Sequence, residues 1–148
     1  MVDEIDLKIL NRLQENGRTK RNELAELVGL SLPSLSERLK KLEDKKIIEG
    51  YFTKVNRKVF NYDIMAFILV VMDSSKNYKR LADHVNKTPE ILECHSVLGE
   101  GSHMLKAVVK DSEALEKLLG KIQAWAGVQR TITSFVLSTI KETTKLKI

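Results

Sequence analysis

Along the first fifty residues the apolar positions recur three and four apart, the period of one face of a helix. Ile5, Ile9, Leu10 and Leu13 form the first stripe, with Asp3 in the N-cap position before it and Asn16-Gly17 to end it. A second helix is predicted after Thr19, burying Leu24, Ala25, Leu27 and Val28 and stopping at Gly29. A third follows almost at once, with Ser31 as N-cap, Pro33 tolerated in the first turn, and Leu35, Leu39 and Leu42 as its stripe. The connection between the second and third helices is very short. Ala25 is small enough to let two helices approach, and Gly29, four residues on, supplies the left-handed backbone of a sharp turn. Those are the physical needs of a helix-turn-helix, although a plain helical hairpin shares them.

After the third helix the pattern changes. Ile47 to Val55 is apolar, β-branched or aromatic around Gly50, and is predicted to be a strand. Too short to stand alone, it is either a wing on the helical unit or a strand exchanged with a second chain. Asn61-Tyr62-Asp63 is a turn signal. Ile64 to Met72 is apolar at every position, a strand that must be covered on both faces. Lys76 to Lys87 is a helix with Leu81, Ala82 and Val85 inward, ended by Pro89. Ile91 to Leu98 and His103 to Val109 are strands flanking Gly99-Glu100-Gly101-Ser102. Ser112 to Trp125 is a helix carrying Leu115, Leu118, Leu119 and Ile122, and Thr131 to Ile140 is a last strand. The order βαββαβ is the ferredoxin-like arrangement. The expected fold class is therefore α+β. Its domains are a winged-helix-like helix-turn-helix over 1–50, a linker strand and turn over 51–63, a ferredoxin-like domain over 64–140, and a tail over 141–148.

Strand alternation divides the hairpin. Cys94, Ser96 and Leu98 share a face with His103, Leu105, Ala107 and Val109, which should meet the helices. Glu93, His95, Val97, Met104, Lys106 and Val108 share the other. With the first strand apolar on both sides and no further segment to cover that second face, a homodimer packing sheet on sheet is expected. A symmetric dimer would present two recognition helices to two half-sites.

Charge sharpens the reading of the first unit. The chain of 148 residues carries 25 Lys and Arg against 20 Asp and Glu, a net charge of +5. Between Arg18 and Lys46 stand eight basic residues (Arg18, Lys20, Arg21, Arg38, Lys40, Lys41, Lys45, Lys46) and five acidic ones. Such a cluster is usually only a solvated face. Over a helix-turn-helix it suits a polyanion. At 100° per residue, Pro33, Glu37 and Lys40 point away from the core of the third helix, Ser34, Ser36 and Lys41 lie on its shoulders, and Arg38 borders the apolar stripe. Ser34 and Ser36 can bond base edges or phosphates. Glu37 can accept from a cytosine amino group or pair with Lys41 at i,i+4. Lys40 and Lys41 suit phosphates.

Other classes fit less well. No apolar run approaches the roughly 20 residues of a membrane span, and the acidic start Asp3-Glu4 does not read as a signal peptide. The single cysteine, Cys94, cannot form an internal disulfide, which fits a reducing cytoplasm. Cys94 and His95 are adjacent on a strand and point to opposite faces, so no metal is expected there, with or without His103. No nucleophile triad, P-loop or dinucleotide fingerprint is present, and no enzyme activity is expected. The βαββαβ order is also that of an RNA-binding motif, but His103 to Val109 holds no Phe, Tyr or Trp on which a base could stack. A stand-alone amino-acid sensor is a further alternative, opposed by the basic helix-turn-helix.

With these residues in view, the whole chain resembles the Lrp/AsnC (leucine-responsive regulatory protein/asparagine regulator, or feast/famine) family. The marks are Ile5-Asp6-Leu7-Lys8-Ile9-Leu10, Asn16-Gly17-Arg18, Glu23-Leu24-Ala25, Gly29-Leu30-Ser31, Arg38-Leu39-Lys40-Lys41-Leu42-Glu43 and Ile48-Glu49-Gly50-Tyr51. The resemblance implies a transcription regulator that binds double-stranded DNA through Arg18, Lys20, Arg21, Ser31, Pro33, Ser34, Ser36, Glu37, Arg38, Lys40 and Lys41. It also implies dimers assembling to octamers, no cofactor, and an amino-acid effector held around Gly99, Glu100, Gly101, Ser102 and His103, with Thr133 near the cleft. The family's sensing turn usually reads Gly-Asp-x-Asp. Here Glu100 keeps one carboxylate and Ser102 replaces the other, so a ligand ammonium would meet one acid fewer. The backbone amides around Gly99 and Gly101 can still hold a carboxylate. A tight hairpin without a ligand is the competing reading of this turn.

Overall fold

The computed structural model describes residues 1–148. The chain forms two compact units: Met1–Lys54 together with Lys141–Ile148, and Val55–Ile140.

The first unit is built on three helices, α1 (Glu4–Glu15), α2 (Arg21–Val28) and α3 (Leu32–Asp44). Asp3 caps α1 by accepting from the Asp6 amide, and the Asp6 side chain accepts from the Asp3 amide in return, a capping box. Gly29, at φ 68°, ends α2 in the left-handed conformation, and the Leu30 amide closes back on the Ala25 carbonyl at 2.9 Å. Ser31 then caps α3 by accepting from the Ser34 amide, with Pro33 in the first turn. Ile9, Leu10, Leu24, Ala25, Leu35, Leu39 and Leu42 form the core. Leu27, expected inside, is 48% exposed. Leu24 and Val28 centre the buried arc, and Leu27 lies roughly 80° away from that centre.

The strand expected over Ile47–Val55 does not form: residues 49–56 are neither helix nor strand. Lys46 turns left-handed at φ 57°, and the amides of Ile47 and Ile48 both donate to the Leu42 carbonyl, terminating α3. Ile48 joins the helical core. Its apolar character serves a helix end, and no second strand of the same chain lies alongside to supply the ladder that a wing requires. The tail lies along α1. Gln14 donates to the Leu146 carbonyl at 3.0 Å and accepts from the Leu146 amide at 2.7 Å, Asn11 donates to the Ile148 carbonyl, and Lys145 pairs with Glu15.

The second unit begins with a short 3-10 turn, Arg57–Phe60, closed by Asn61 at φ 60°. It continues as β1 (Ile64–Met72), α4 (Tyr78–Asn86), β2 (Ile91–Ser96), β3 (His103–Val109), α5 (Ser112–Gln123) and β4 (Val128–Phe135). The sheet order is β2-β3-β1-β4, all neighbours antiparallel, as the ferredoxin-like arrangement requires. Ala66, Ile68 and Val70 of β1 and Leu105, Ala107 and Val109 of β3 pack with Leu81, Val85, Leu118, Ile122 and Trp125 into one core. Three details differ from expectation: Leu98, expected on the face that meets the helices, is fully exposed, because β2 ends at Ser96. Ala82 is exposed because Leu81 and Val85 define the buried arc of a short helix and Ala82 falls about 80° off its centre. The last strand starts at Val128 and ends at Phe135, paired along β1 from Met72 to Ala66, and the Val136 amide adds one bond beyond it to the Met65 carbonyl.

The opposite sheet face carries Met65, Phe67, Leu69 and Val71 of β1, Met104 and Val108 of β3 and Ile132 of β4, with Phe67 40% exposed.

Candidate functional site

The first cluster lies on α3 and the start of α2. Ser34 and Glu37 are exposed and Ser36 is half-buried. The Ser31 hydroxyl bonds that of Ser34 at 3.0 Å, so the N-cap and the first outward serine are one polar unit. Glu37 pairs with Lys41 at 2.7 Å, and that cation holds the Glu37 carboxyl below its ordinary range. Lys40 is exposed and makes no ion pair. Arg18 and Lys20 are exposed ahead of α2, and Arg21 at its first position reaches the Ser36 hydroxyl at 3.4 Å. The two helices thus share an outward surface of hydroxyls bordered by cations.

Arg38, expected among the DNA contacts, is engaged within the fold. Its Nη1 donates to Asp3 Oδ2 at 2.7 Å and to Asp6 Oδ1 at 2.8 Å, tying α3 to the capping box of α1. Asp6 is buried at 8% exposure, which the helical period of the α1 stripe did not reveal. The Asp6 amide and the Arg38 guanidinium hold the Asp3 carboxyl below its ordinary range, and the two carboxylates raise Arg38.

The second cluster is the loop between β2 and β3. The Val97 amide donates to the Ser102 carbonyl and the Ser102 amide to the Val70 carbonyl, each at 2.9 Å, so the loop is stitched onto β1. Gly99 has φ 147°, and a Cβ on Gly101 would lie 2.6 Å from Leu69, so both glycines are required, for different reasons. The amides of Gly99, Glu100 and Gly101 donate to no backbone carbonyl. Ser102 bonds His103 Nδ1 at 2.8 Å, and the His103 ring meets Tyr78 edge-on with centroids 4.8 Å apart. Burial lowers His103 from its ordinary value. Glu100 pairs with Arg130 of β4 at 2.6 Å. Arg130 and Tyr78 were not anticipated, since only sheet register and helix docking bring them to the loop. Thr133 lies opposite Ile68, two residues along β4 from Thr131, which accepts from Gln123. No bond joins Thr133 to the loop. A shallow depression lined by Val85, Thr88, Pro89, Leu92 and Cys94 lies elsewhere, beside the start of β2.

A hydroxyl-faced, cation-rimmed α3 behind a glycine turn, carried on one chain with a ferredoxin-like unit, defines a DNA-binding regulator with an appended ligand domain. Residues 2–49 match the winged helix-turn-helix DNA-binding family, and residues 65–146 match the Lrp/AsnC ligand binding domain. The chain belongs to the Lrp/AsnC family and is an effector-responsive, DNA-binding transcription regulator. It is 35% identical over 147 residues to the HTH-type transcriptional regulator FL11 of Pyrococcus horikoshii, covering 99% of this chain and 97% of that one. It is 34% identical to the leucine-responsive regulatory protein of Escherichia coli K12 over 99% of this chain and 92% of that one. Among solved structures, a transcriptional regulator from Neisseria meningitidis in complex with L-Met superposes with a TM-score of 0.92 at 38% identity, covering 99% of this chain and 97% of that one. The feast or famine regulatory protein of M. tuberculosis complexed with L-methionine superposes with a TM-score of 0.89 at 28% identity over 99% of both chains. No helix is long and apolar enough to cross a membrane.

Proposed function

We propose that α3 lies in the major groove of duplex DNA, with Ser34, Ser36 and Glu37 toward base edges and Arg18, Lys20, Arg21, Lys40 and Lys41 on flanking phosphates. The observation that carries this is the outward face of α3 directly after the Gly29 turn, polar from Ser34 to Lys41 beyond the exposed Leu32 and Pro33 and rimmed by cations. Ser31 and Pro33 start the helix that is presented. The Glu37–Lys41 pair is exposed and i,i+4, a weak interaction that a base amino group or a phosphate readily replaces. Replacing Lys40 and Lys41 with alanine should weaken binding to every duplex and flatten its salt dependence by about one unit of slope per lost phosphate contact. Selection from random duplexes should show an altered preferred sequence for Ser34→Ala or Ser36→Ala. An unchanged preference removes these residues from base readout.

The effector, in this reading, is an amino acid such as the L-methionine bound by the two relatives. Glu100 and Arg130 are a matched pair for a zwitterion: the ligand ammonium exchanges onto Glu100 and its carboxylate onto Arg130, with the amides of Gly99 and Gly101 adding to that second contact. Ser102, engaged with His103 and Val70, holds the loop rather than the ligand. L-methionine should raise the melting temperature of the wild type and not of Arg130→Gln. A shift that survives in Arg130→Gln sinks the assignment. The apolar sheet face around Met65, Phe67 and Val108 is the seat of a homodimer, from which an octamer can be assembled, and the protein works in the cytoplasm.

A further inference from the structure

The Asp3–Asp6–Arg38 cluster joins the start of α1 to the middle of α3. Each member is held twice. Asp3 and Asp6 cap one another, with the Asp6 amide on Asp3 Oδ1 at 2.8 Å and the Asp3 amide on Asp6 Oδ2 at 3.1 Å, while both remaining oxygens converge on Arg38 Nη1 at 2.7 and 2.8 Å. Two carboxylates on one guanidinium leave the site net negative, which repels a phosphate. Arg38 follows Glu37 and stands four residues after Ser34 and three before Lys41, so anything that fixes Arg38 fixes the rotation of α3 about its own axis. The apolar stripe alone does not fix it tightly, because leucines tolerate sliding and small rotations that a pair of charged hydrogen bonds does not. A rotation of one residue's worth, 100°, would carry Ser34 and Glu37 out of the groove, and far smaller errors would spoil a hydrogen bond to a base edge.

We propose that Arg38 is a positioning residue for sequence readout: clamped by Asp3 and Asp6, it sets the azimuth at which α3 presents Ser34, Ser36 and Glu37 to DNA, and it does not itself contact the nucleic acid. This rests on the assignment of α3 as the base-reading helix.

The two roles open to Arg38 differ in what they do to charge and to specificity. A phosphate ligand contributes equally on every sequence and steepens the salt dependence. A positioning residue alters the ratio between preferred and scrambled duplexes and leaves the salt slope alone. The acids separate the roles further. Asp3→Ser and Asp6→Asn each make the protein more positive, so simple electrostatics tightens binding to all DNA, whereas loosening the clamp lowers the preference for the selected sequence.

The test uses the full chain. Wild-type protein selects its preferred duplex from a random pool. Affinity for that duplex and for a scrambled one is then measured across a salt series for wild type, Arg38→Gln, Arg38→Lys, Asp3→Ser and Asp6→Asn, with the melting temperature of each. Arg38→Gln should lower the preference ratio about ten-fold, the scale of one lost base contact, with an unchanged salt slope. Arg38→Lys should restore part of it, and Asp3→Ser and Asp6→Asn should lower the ratio despite their added positive charge. A slope reduced by about one with both duplexes weakened alike makes Arg38 a phosphate ligand and overturns the proposal. So does an intact ratio in Asp3→Ser. That variant decides the matter if Arg38→Gln does not fold, because Asp3 is exposed and serine keeps the N-cap bond. Failure of the base-reading assignment shows separately, as an unchanged selected sequence in Ser34→Ala and Ser36→Ala.

Discussion

Replacing Gly101 with alanine adds one methyl group at the point where the β2–β3 loop crosses β1. That carbon would sit 2.6 Å from both Cγ and Cδ1 of Leu69 and 2.9 Å from the Val70 carbonyl oxygen. Two of the three obstacles belong to a side chain that can rotate. The third is backbone, and it is the same oxygen that accepts the Ser102 amide at 2.9 Å. Overpacking of this kind costs about 1–3 kcal/mol, and a strained or broken amide bond adds about 1. Gly101→Ala is therefore expected to destabilise the protein by about 2–4 kcal/mol, read as a lower denaturation midpoint with an unchanged denaturant slope. Adding Leu69→Ala removes two of the three obstacles and should recover part of the loss, a favourable coupling of about 0.5–1 kcal/mol, while the Val70 oxygen keeps the rescue incomplete. Gly99→Ala is the control. At φ 147° it strains the backbone by about 1–3 kcal/mol yet meets no atom within 4 Å, so Leu69→Ala cannot relieve it. Strict additivity of Gly101→Ala and Leu69→Ala, or a Gly101→Ala variant as stable as wild type, would refute the close approach as the reason for this glycine.

Three further outcomes are expected. Phe67→Lys sets a second cation beside Lys106, its cross-strand neighbour on the largely apolar sheet face, and should turn the proposed dimer into a monomer in sedimentation, and an unchanged assembly would place any dimer contact elsewhere. Gln14→Ala removes both bonds to Leu146 and should lower stability by about 1–2 kcal/mol while raising protease cleavage within 141–148, and a tail equally protected in the variant would show that Gln14 does not hold it. Tyr51 is pushed up to about 12, first by burial and then by its hydrogen bond to Glu43. Folding favours its neutral phenol, so its stabilising contribution is complete below pH 10 and disappears as the pH climbs through 12. Phenolate absorbance should show a late step that Tyr51→Phe deletes, and a titration identical in the two proteins would contradict the Tyr51–Glu43 contact.

Much of this architecture is written locally. Asp3, Gly29 and Ser31 are terminus signals that act within one turn of the chain, and the stripes Ile9–Leu10, Leu24–Ala25 and Leu35–Leu39–Leu42 follow from the helical period. The bounds of β1, Ile64–Met72, coincide with the apolar run. The misreadings share a cause. Ile47–Ile48 has strand character, but a strand exists only by pairing, and here the two amides end α3 on the Leu42 carbonyl. Leu27 and Ala82 have apolar character yet lie outside the buried arcs of short helices, where the neighbour decides burial.

The candidate sites divide in the same way. Ser34, Ser36, Glu37, Lys40 and Lys41 share a helix face that can be drawn from spacing alone, because a helix converts sequence distance into angle without outside help. Arg38 occupies the same helix and the same arithmetic, yet its partners lie 32 and 35 residues earlier and are reached only when α1 docks. Glu100 finds Arg130 thirty residues later through the register of β4 on β1. Helix faces, caps and the βαββαβ order were determined by the sequence itself, since each depends on neighbours within a few residues. Which charges neutralise one another was decided by tertiary structure, because an ion pair is set by distance in space and the chain encodes that distance only once it has folded.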